Sequence, residues 1–215
     1  MNMTKTKSLL SILTATIILL MPILTIAADP PAPVAKTGQT ACYNTSGTEI
    51  SCAGTGQDGE YQYGVASPSP RFTDNGDGTV TDNLTGLMWA KNANLAGAMT
   101  WFEAIDFANN LSLGGEGCVY KENCGDGCGQ SDCDPNCKED WRLPNRSEME
   151  SLLDFSNYNP ALPSGHPFTR VTNYIWSSTT YAGATTLAWI VHPNGYWCSY
   201  GKNRIYSAFP VRGGN

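Results

Sequence analysis

Aromatic and polar side chains gather on one short stretch of the sequence, where they could bind a sugar. The candidate ligand-binding residues are Tyr196, Trp197, Tyr200, Lys202, Asn203 and Arg204. Proteins recognise small sugars by stacking aromatic faces on the ligand and fixing its orientation with a few polar groups. Side chains alternate along a strand, so Tyr196 and Tyr200 share one face and Trp197 takes the other. We therefore expect only one of these two sets to point outward.

Residue types and spacing do not indicate catalysis. The two histidines, His166 and His192, each precede a proline in a turn-like stretch. The sequence contains no G-x-S-x-G nucleophile motif. No Ser-His-Asp or Cys-His arrangement follows from spacing alone. We expect a protein that is not an enzyme.

Two groups of carboxylates are candidate sites for weak calcium binding, and no other cofactor is predicted. Asp74 and Asp77 lie in a Gly- and Asn-containing turn between two runs that predict a β-hairpin. The second group is Asp126, Asp132 and Asp134. Oxygen ligands suit calcium, but the spacing of an EF-hand and its distal Glu are missing. Turn formation is the favoured interpretation of the first group.

Eight cysteines in a chain with an export signal indicate disulfides rather than thiols. Cys42 and Cys52 bracket a small hairpin-like loop and are predicted to pair. Closing such a loop stabilises the fold by about 2.5–3 kcal/mol in the chain-entropy model. The other six are Cys118, Cys124, Cys128, Cys133, Cys137 and Cys198.

Five of these six cysteines lie in a polar stretch, residues 116–139, which we interpret as a disulfide-stapled insertion. The stretch has no C-x-x-C pair and no histidine, so it matches a zinc site poorly. Since five is an odd number, we expect one of them to pair with Cys198. Six cysteines allow 15 connectivities, and the sequence does not choose among them.

The first 28 residues are predicted to be a signal peptide. Lys5 and Lys7 precede an uncharged run from Ser8 to Ala28, which ends in small residues suited to cleavage. The run is also long enough to be a retained membrane anchor. Residues 29–40 are a Pro-rich linker, and residues 41–215 form a single domain. The domain is expected in the periplasm, on the cell surface or outside the cell.

Charge limits the partners of the exported domain. Cleavage would remove Lys5 and Lys7 and leave 11 basic and 19 acidic residues, a net charge of −8. Nucleic-acid binding requires Lys and Arg to displace counterions, so it is not expected. No further stretch could insert into a membrane after cleavage. The expected partners are a glycan or an extracellular or envelope protein.

The stretch DWRLPNRSE predicts the corner that positions the remaining elements. Its residues are Trp141, Arg142, Leu143, Pro144, Asn145 and Glu148. Trp141 and Leu143 alternate as at a strand end, and Pro144 stops the strand. Asn145 and Glu148 form a capping-box pattern that begins a helix. We expect Arg142 and Glu148 to make structural hydrogen bonds rather than contact a ligand.

Further patterns predict one more helix and a set of strands. Thr100 and Glu103 form a second capping box, an apolar stripe follows at helical spacing, and Gly114-Gly115 is predicted to end that helix. The predicted strands are 174–179, 187–192, 196–200 and 208–212. A Pro-Asn-Gly turn connects the second of these strands to the third.

Several segments in order resemble the Lcl C-terminal domain family, named after a bacterial collagen-like adhesin. These segments are TDNGDGTVTDNLTGLMW, DWRLPNRSEMESLLD, YIWSSTT, the strand with Trp189, and FPVRGG, together covering about residues 71–214. The RLPN corner is also similar to formylglycine-generating-type domains. The resemblance implies an α+β, C-type-lectin-like fold: two helices packed on small twisted antiparallel sheets, here with a disulfide-rich insertion.

The family implies a secreted or surface-displayed, adhesin-like binding module. Its namesake adheres to glycosaminoglycans or other glycans, whereas this chain has no collagen-like repeat and a net charge unsuited to polyanions. A structural envelope protein is one alternative. An enzyme of the formylglycine-generating kind is another, although such an enzyme is expected to need two reactive cysteines near Cys198, which stands alone there.

Overall fold

A computed structural model describes residues 34–114 and 138–213. The helices are α1 Asp58–Tyr61, α2 Trp101–Asn109 and α3 Arg146–Ser151. The strands are β1 Cys42–Tyr43, β2 Glu49–Ile50, β3 Phe72–Asp74, β4 Thr79–Asp82, β5 Met88–Ala90, β6 Ala98–Met99, β7 Ile175–Thr180, β8 Leu187–Val191, β9 Trp197–Gly201, β10 Tyr206–Ser207 and β11 Val211–Arg212. The predicted signal peptide, the start of the linker and nearly all of the cysteine-rich insertion lie outside the described residues.

The described strands form three small sheets, so the domain is a mixed α+β fold. Five strands are ordered β6-β10-β7-β8-β9, four are ordered β11-β5-β4-β3, and β1 pairs with β2 alone. The pairing is antiparallel as expected, except that β10 runs parallel to β7. The C-terminal segment therefore contributes one strand to each of the two larger sheets.

The five-stranded sheet has apolar side chains on both faces, and each face is covered by packed elements. Trp176, Ile190 and Cys198 lie opposite one another on adjacent strands and share one face. Helix α2 packs on that face through its own apolar stripe of Trp101, Ala104 and Ala108. On the other face Ile175 and Val191 pack against Met149 and Leu152, at and just after α3. Sequence alternation thus places one helix on each side.

Both longer helices begin at the predicted capping boxes. In α3 the Asn145 side chain accepts from the Glu148 backbone N–H at 2.9 Å. The Glu148 carboxylate in turn accepts from the Asn145 N–H at 2.8 Å. Thr100 and Glu103 make the equivalent reciprocal contacts at α2. Each box satisfies backbone donors that the first helical turn leaves unpaired.

The end of α2 differs from the prediction. The helix ends at Asn109, before the Gly114-Gly115 pair. Leu111 and Leu113 leave the helical stripe and pack with Trp141 in a separate apolar cluster. The backbone N–H of Leu113 also donates to the Lys138 carbonyl at 3.1 Å. Tertiary packing therefore ends the helix a turn earlier than the glycines would.

The predicted last strand, 208–212, is shortened to β11, and a separate strand, β10, precedes it at Tyr206–Ser207. Strand β10 pairs with β6 and β7, whereas β11 pairs with β5. Pro210 lies between them and has no N–H to donate to a ladder. The interruption lets the chain change from one sheet to the other.

The four-stranded sheet encloses a buried ion pair. The Asp82 carboxylate has no exposed surface and accepts from Arg71 Nε at 2.7 Å and Arg71 Nη2 at 2.9 Å. Arg71 Nη2 also donates to the Ser151 carbonyl at 2.8 Å. The same carboxylate accepts from Thr85 and Leu84. The pair therefore connects the β3–β4 hairpin to the end of α3.

The described part of the predicted linker is extended and docked on the domain. Ala35 forms a parallel bridge with Val65. The Phe155 N–H donates to the Thr37 carbonyl at 2.7 Å. The Thr37 hydroxyl also donates to the Asp58 carboxylate. This segment is thus part of the folded unit, while in the described ranges no helix is long and apolar enough to span a bilayer.

Candidate functional site

The structure divides the predicted ligand-binding residues among three places. Tyr196 and Tyr200 belong to a tyrosine-rich cluster, and the Arg204 guanidinium lies over the Tyr200 ring at 6.0 Å. Lys202 and Asn203 line a surface cleft. Trp197 lies on the opposite face of the five-stranded sheet, against the apolar core and Arg146. The alternation of side chains was predicted correctly, but the hairpin does not present a single binding surface.

The tyrosine-rich cluster, defined by Tyr174, Tyr196, Tyr200, Tyr206 and His192, consists of rings that contact one another. Tyr174 is central, with ring centroids at 4.7 Å from His192 and 5.2 Å from Tyr206. His192 stacks on Tyr196 at 4.7 Å. Edge-to-face contacts of this kind are favourable between aromatic rings. Much of the ring surface is consequently occupied by neighbouring rings.

A hydrogen bond between two phenols fixes the exposed member of the cluster. The Tyr174 and Tyr196 hydroxyl oxygens are 2.8 Å apart. Tyr196 is 42% exposed. The bond to Tyr174 raises the pKa of Tyr196 from 10.0 to about 12, because ionisation would remove the shared proton. Tyr196 is therefore a neutral phenol over the whole physiological range.

The surface cleft is lined in part by two of the predicted ligand-binding residues, Lys202 and Asn203. It lies beside the start of α2, has a volume of about 700 Å³ and is open to solvent. Its lining residues are Thr100, Phe102, Thr185, Thr186, Leu187, Gly201, Lys202 and Asn203. The Phe102 ring is 63% exposed. The lining thus combines one accessible aromatic ring with a few hydroxyl and amide groups on a mostly apolar surface, as in many ligand pockets.

Among the described residues that line the cleft, Lys202 is the one charged side chain. Its ammonium group already makes contacts within the protein. Lys202 Nζ lies 4.0 Å from the centre of the Trp101 ring. It also donates to the Thr180 hydroxyl at 2.9 Å. The Lys202 carbonyl accepts from the Trp101 N–H. Through these contacts Lys202 connects α2 to the end of β7, and its ammonium group lies against the Trp101 indole face.

Cys198 forms no disulfide with any residue that the structure describes, and its predicted pairing with a cysteine of the insertion stays a prediction. Its side chain lies on the α2 face of β9, opposite Ile190. There it packs with the cluster that contains Trp176 and Tyr200. The thiol is thus a half-buried member of an aromatic core. Cys118, Cys124, Cys128, Cys133 and Cys137 lie outside the described residues.

The predicted disulfide between Cys42 and Cys52 is present, with Cα atoms 5.1 Å apart. It joins the region of β1 and β2, whose two residue pairs give little stability alone. Gly59 of α1 lies so close to this disulfide that an added Cβ would meet the Cys42 sulfur at 3.0 Å. The short helix α1, which the sequence patterns did not predict, therefore packs directly on the bridge.

Asp74 and Asp77 participate in the β3–β4 hairpin and in ion pairs. Asp74 binds Lys91 at 2.6 Å, which holds the pKa of its carboxyl below the usual value. Asp77 binds Lys138 at 3.3 Å and accepts from the Thr79 N–H at 3.1 Å. In the described ranges, no three acidic, His or Cys residues group as metal ligands. Calcium stays a prediction, and Asp126, Asp132 and Asp134 lie outside these ranges.

The DWRLPN corner is occupied by internal contacts. Trp141 Nε1 donates to the Lys138 carbonyl at 2.9 Å. Arg142 and Val211 exchange two backbone hydrogen bonds of 2.9 Å. The Arg142 guanidinium binds both carboxylate oxygens of Glu148, and Leu143 and Pro144 are buried. The strand end predicted at this corner is an isolated bridge to Val211 rather than a strand.

Several residues at the candidate site were missed by sequence analysis. Phe102 was not among the predicted ligand-binding residues, yet it is exposed at the cleft. Thr185 and Thr186 carry no local signal, because they lie in the loop between β7 and β8. The position of Phe102 beside Trp101 was the available clue, since adjacent helical residues cannot both face the same core.

Three small sheets, two capped helices and an open cleft with an exposed aromatic ring define an α+β domain with a surface suited to ligand binding. Residues 78–212 match the model of the Lcl C-terminal domain, and the chain belongs to this family. Membership is consistent with a secreted or surface domain. No curated protein sequence matches the chain.

Proposed function

We propose that the protein is an exported, non-catalytic binding module that recognises a neutral glycan in the cleft beside α2. The observation that carries this proposal is the exposed Phe102 ring in a lining of hydroxyl and amide groups. Apolar faces of sugar rings pack on aromatic side chains, and sugar hydroxyls exchange hydrogen bonds with groups such as Asn203 and Thr186. The C-type-lectin-like arrangement that the resemblance implies is part of the same proposal.

The charge of the cleft favours a neutral ligand over a polyanion. Lys202 is the one charged lining residue, and its ammonium lies on the Trp101 ring and binds Thr180. Recruiting that ammonium to a sulfate or uronate would break both contacts. The whole chain also carries a net charge of −6, which repels polyanions at long range.

The test is a glycan array followed by titration calorimetry with the best neutral oligosaccharide, in calcium and in chelator. Phe102→Ala and Asn203→Ala should each weaken binding about tenfold or more. Tyr63→Ala removes another exposed aromatic ring, outside the cleft lining, and should leave the affinity unchanged. Absence of binding to every neutral glycan, or equal affinity in Phe102→Ala, would contradict the proposal.

The alternatives make different predictions in the same experiments. A structural envelope protein would bind no glycan and would remain associated with the envelope when Phe102 is replaced. Catalysis of the formylglycine-generating kind is expected to need two reactive cysteines, and Cys198 is the one cysteine in residues 138–213. Its side chain packs within an aromatic cluster rather than in the cleft.

A further inference from the structure

Arg146 lies on the face of the five-stranded sheet opposite the tyrosine-rich cluster, over two tryptophans. Its guanidinium carbon is 4.2 Å from the centre of the Trp189 ring and 5.1 Å from that of Trp197. Trp189 is held in turn by the edge of Tyr181 at 5.2 Å. The two indoles belong to adjacent strands, β8 and β9. Indole faces attract cations, so they hold the guanidinium in place.

The Arg146 guanidinium has no anionic partner among the described residues. Its backbone N–H is used, donating to the Thr179 hydroxyl at 3.0 Å. The side chain forms neither an ion pair nor a hydrogen bond there, and its Nε is buried without an acceptor. Trp197 Nε1, beside it, is buried without an acceptor as well. By contrast, Arg71, Arg142 and Arg212 each bind a carboxylate.

An uncompensated arginine of this kind is suited to an external carboxylate. The planar guanidinium presents donors in a fork that matches a carboxylate. With Nε against the indoles, the two terminal amino groups are the donors left for an incoming ligand. A charge-assisted contact of this type contributes more than a neutral hydrogen bond.

The neighbouring edge of the sheet is open in the described part of the chain. β9 is the last strand in the order, and its ladder joins it to β8 alone. His192 N–H donates to the Tyr196 carbonyl, and Lys202 N–H to the Thr186 carbonyl. In an antiparallel ladder, these two hydrogen bonds imply that the backbone groups of Trp197, Ser199 and Gly201 point away from β8. The Gly201 carbonyl already accepts from the Arg204 N–H at 2.9 Å, so Gly201 offers only its N–H to a further strand. Such an edge is a template for another strand.

We propose that an extended segment of a partner protein adds to the β9 edge and places an acidic side chain on Arg146. A strand added there lies within about 5 Å of β9, so an acidic side chain on the Arg146 face can reach across Trp197. A second copy of this chain fits less well. Antiparallel pairing of two β9 edges would bring two unpaired guanidinium groups onto the same sheet face.

The experiment uses the full folded domain and two capped peptides, one of alternating threonine and glutamate, the other of alternating threonine and glutamine. Amide hydrogen exchange by NMR reports the edge, and fluorescence anisotropy gives the affinity. The glutamate peptide should protect the amides of Trp197, Ser199 and Gly201. It should also bind about tenfold or more tightly than the glutamine peptide.

Variants separate the specific contact from general charge. Arg146→Gln should bring the two peptides to similar affinity, and Arg146→Lys should restore only part of the difference, because a lysine lacks the bidentate fork. Arg170→Gln removes an exposed arginine of equal charge and should preserve the difference. Thermal unfolding of each variant checks that the fold is retained.

Four outcomes would overturn the proposal. Equal affinity for the two peptides would show that the carboxylate contributes nothing to binding. Unprotected amides at millimolar concentrations of the glutamate peptide would show that no strand is added to β9. Concentration-dependent dimerisation with protection of the same amides assigns the edge to a second copy. Glucuronate binding at Arg146 without amide protection assigns the cation to an acidic sugar. Gly201 also lines the Phe102 cleft, whereas Arg146, Trp197 and Ser199 do not, so their response tests this proposal separately from the glycan proposal.

Discussion

The guanidinium of Arg142 and the carboxylate of Glu148 face each other through two parallel hydrogen bonds, of 2.7 and 2.6 Å. One oxygen of that carboxylate also accepts from the Asn145 N–H. Glu148 therefore joins the capping box of α3 to the bridge between Arg142 and Val211. The contact raises the pKa of Arg142 above its ordinary value, since the charged guanidinium is favoured.

Glu148→Gln should lower the free energy of unfolding by about 1–2 kcal/mol, because it weakens a cap and removes a half-exposed ion pair. Chemical denaturation measures this loss. Glu103→Gln is the matched control, since Glu103 has the same capping position in α2 without an arginine partner. Equal losses in the two variants would show that Arg142 contributes nothing beyond the cap.

Asp82→Asn should be far more damaging, costing about 3–5 kcal/mol, because it leaves the buried Arg71 charge uncompensated. The side chains are 8% and 0% exposed. Asp74→Asn breaks the exposed pair with Lys91 and should cost at most about 1 kcal/mol. Urea unfolding of both variants gives the comparison. Similar costs would mean that burial of Asp82 is unimportant.

The Tyr174–Tyr196 bond predicts a stability loss at alkaline pH. Because the pKa of Tyr196 is raised from 10.0 to about 12, the folded state retains a proton that the unfolded state releases. The associated stability is fully present below pH 10 and is lost as the pH rises towards 12.

Tyr174→Phe should remove this pH-dependent part, so the variant loses less stability between those two values. Tyrosinate absorbance during a pH titration should show its highest inflection moving down in the variant. Tyr63→Phe, outside the cluster, should leave that inflection in place. An unchanged titration in Tyr174→Phe would contradict the assignment of the shift to this bond.

Cys198 is half-buried and forms no disulfide among the described residues, so its thiol should react slowly with a small alkylating reagent in the native protein and rapidly after unfolding. Cys42 and Cys52 should react only after reduction. Peptide mapping by mass spectrometry identifies the modified residues. Recovery of a disulfide-linked peptide containing Cys198 would show instead that it is paired.

The sequence correctly predicted those elements whose ends are determined by residues nearby in the chain. Both capping boxes, the β3–β4 hairpin, the β8–β9 hairpin and the Cys42–Cys52 bridge are present. Each depends on residues close in sequence, where turn and cap chemistry is decisive. The early end of α2 and the shortening of the last predicted strand to Val211–Arg212 depend instead on contacts with distant segments.

The candidate site was harder to predict than the fold because its members come from separate segments. Phe102, Thr186 and Asn203 meet only when α2, the β7–β8 loop and the end of β9 converge. The hairpin residues were correctly assigned to alternate faces, but both faces of the sheet are covered, so alternation alone does not identify an outer one. The pairing of Cys198 was inferred from an odd count and stays a prediction, since the other five cysteines lie outside the described residues.

The bridge between Arg142 and Val211 has a consequence for the order in which the chain can fold. β11 supplies an edge strand beside Trp89 and a partner for the corner, so neither is complete until residue 211 has left the ribosome. Trp89 and Trp141 are fully or nearly buried in the folded domain. Before residue 211 pairs, part of the surface of each is not yet covered by β11. Pairings over such long sequence separations form slowly. A chain that lacks β11 should therefore expose apolar surface beside Trp89 and Trp141.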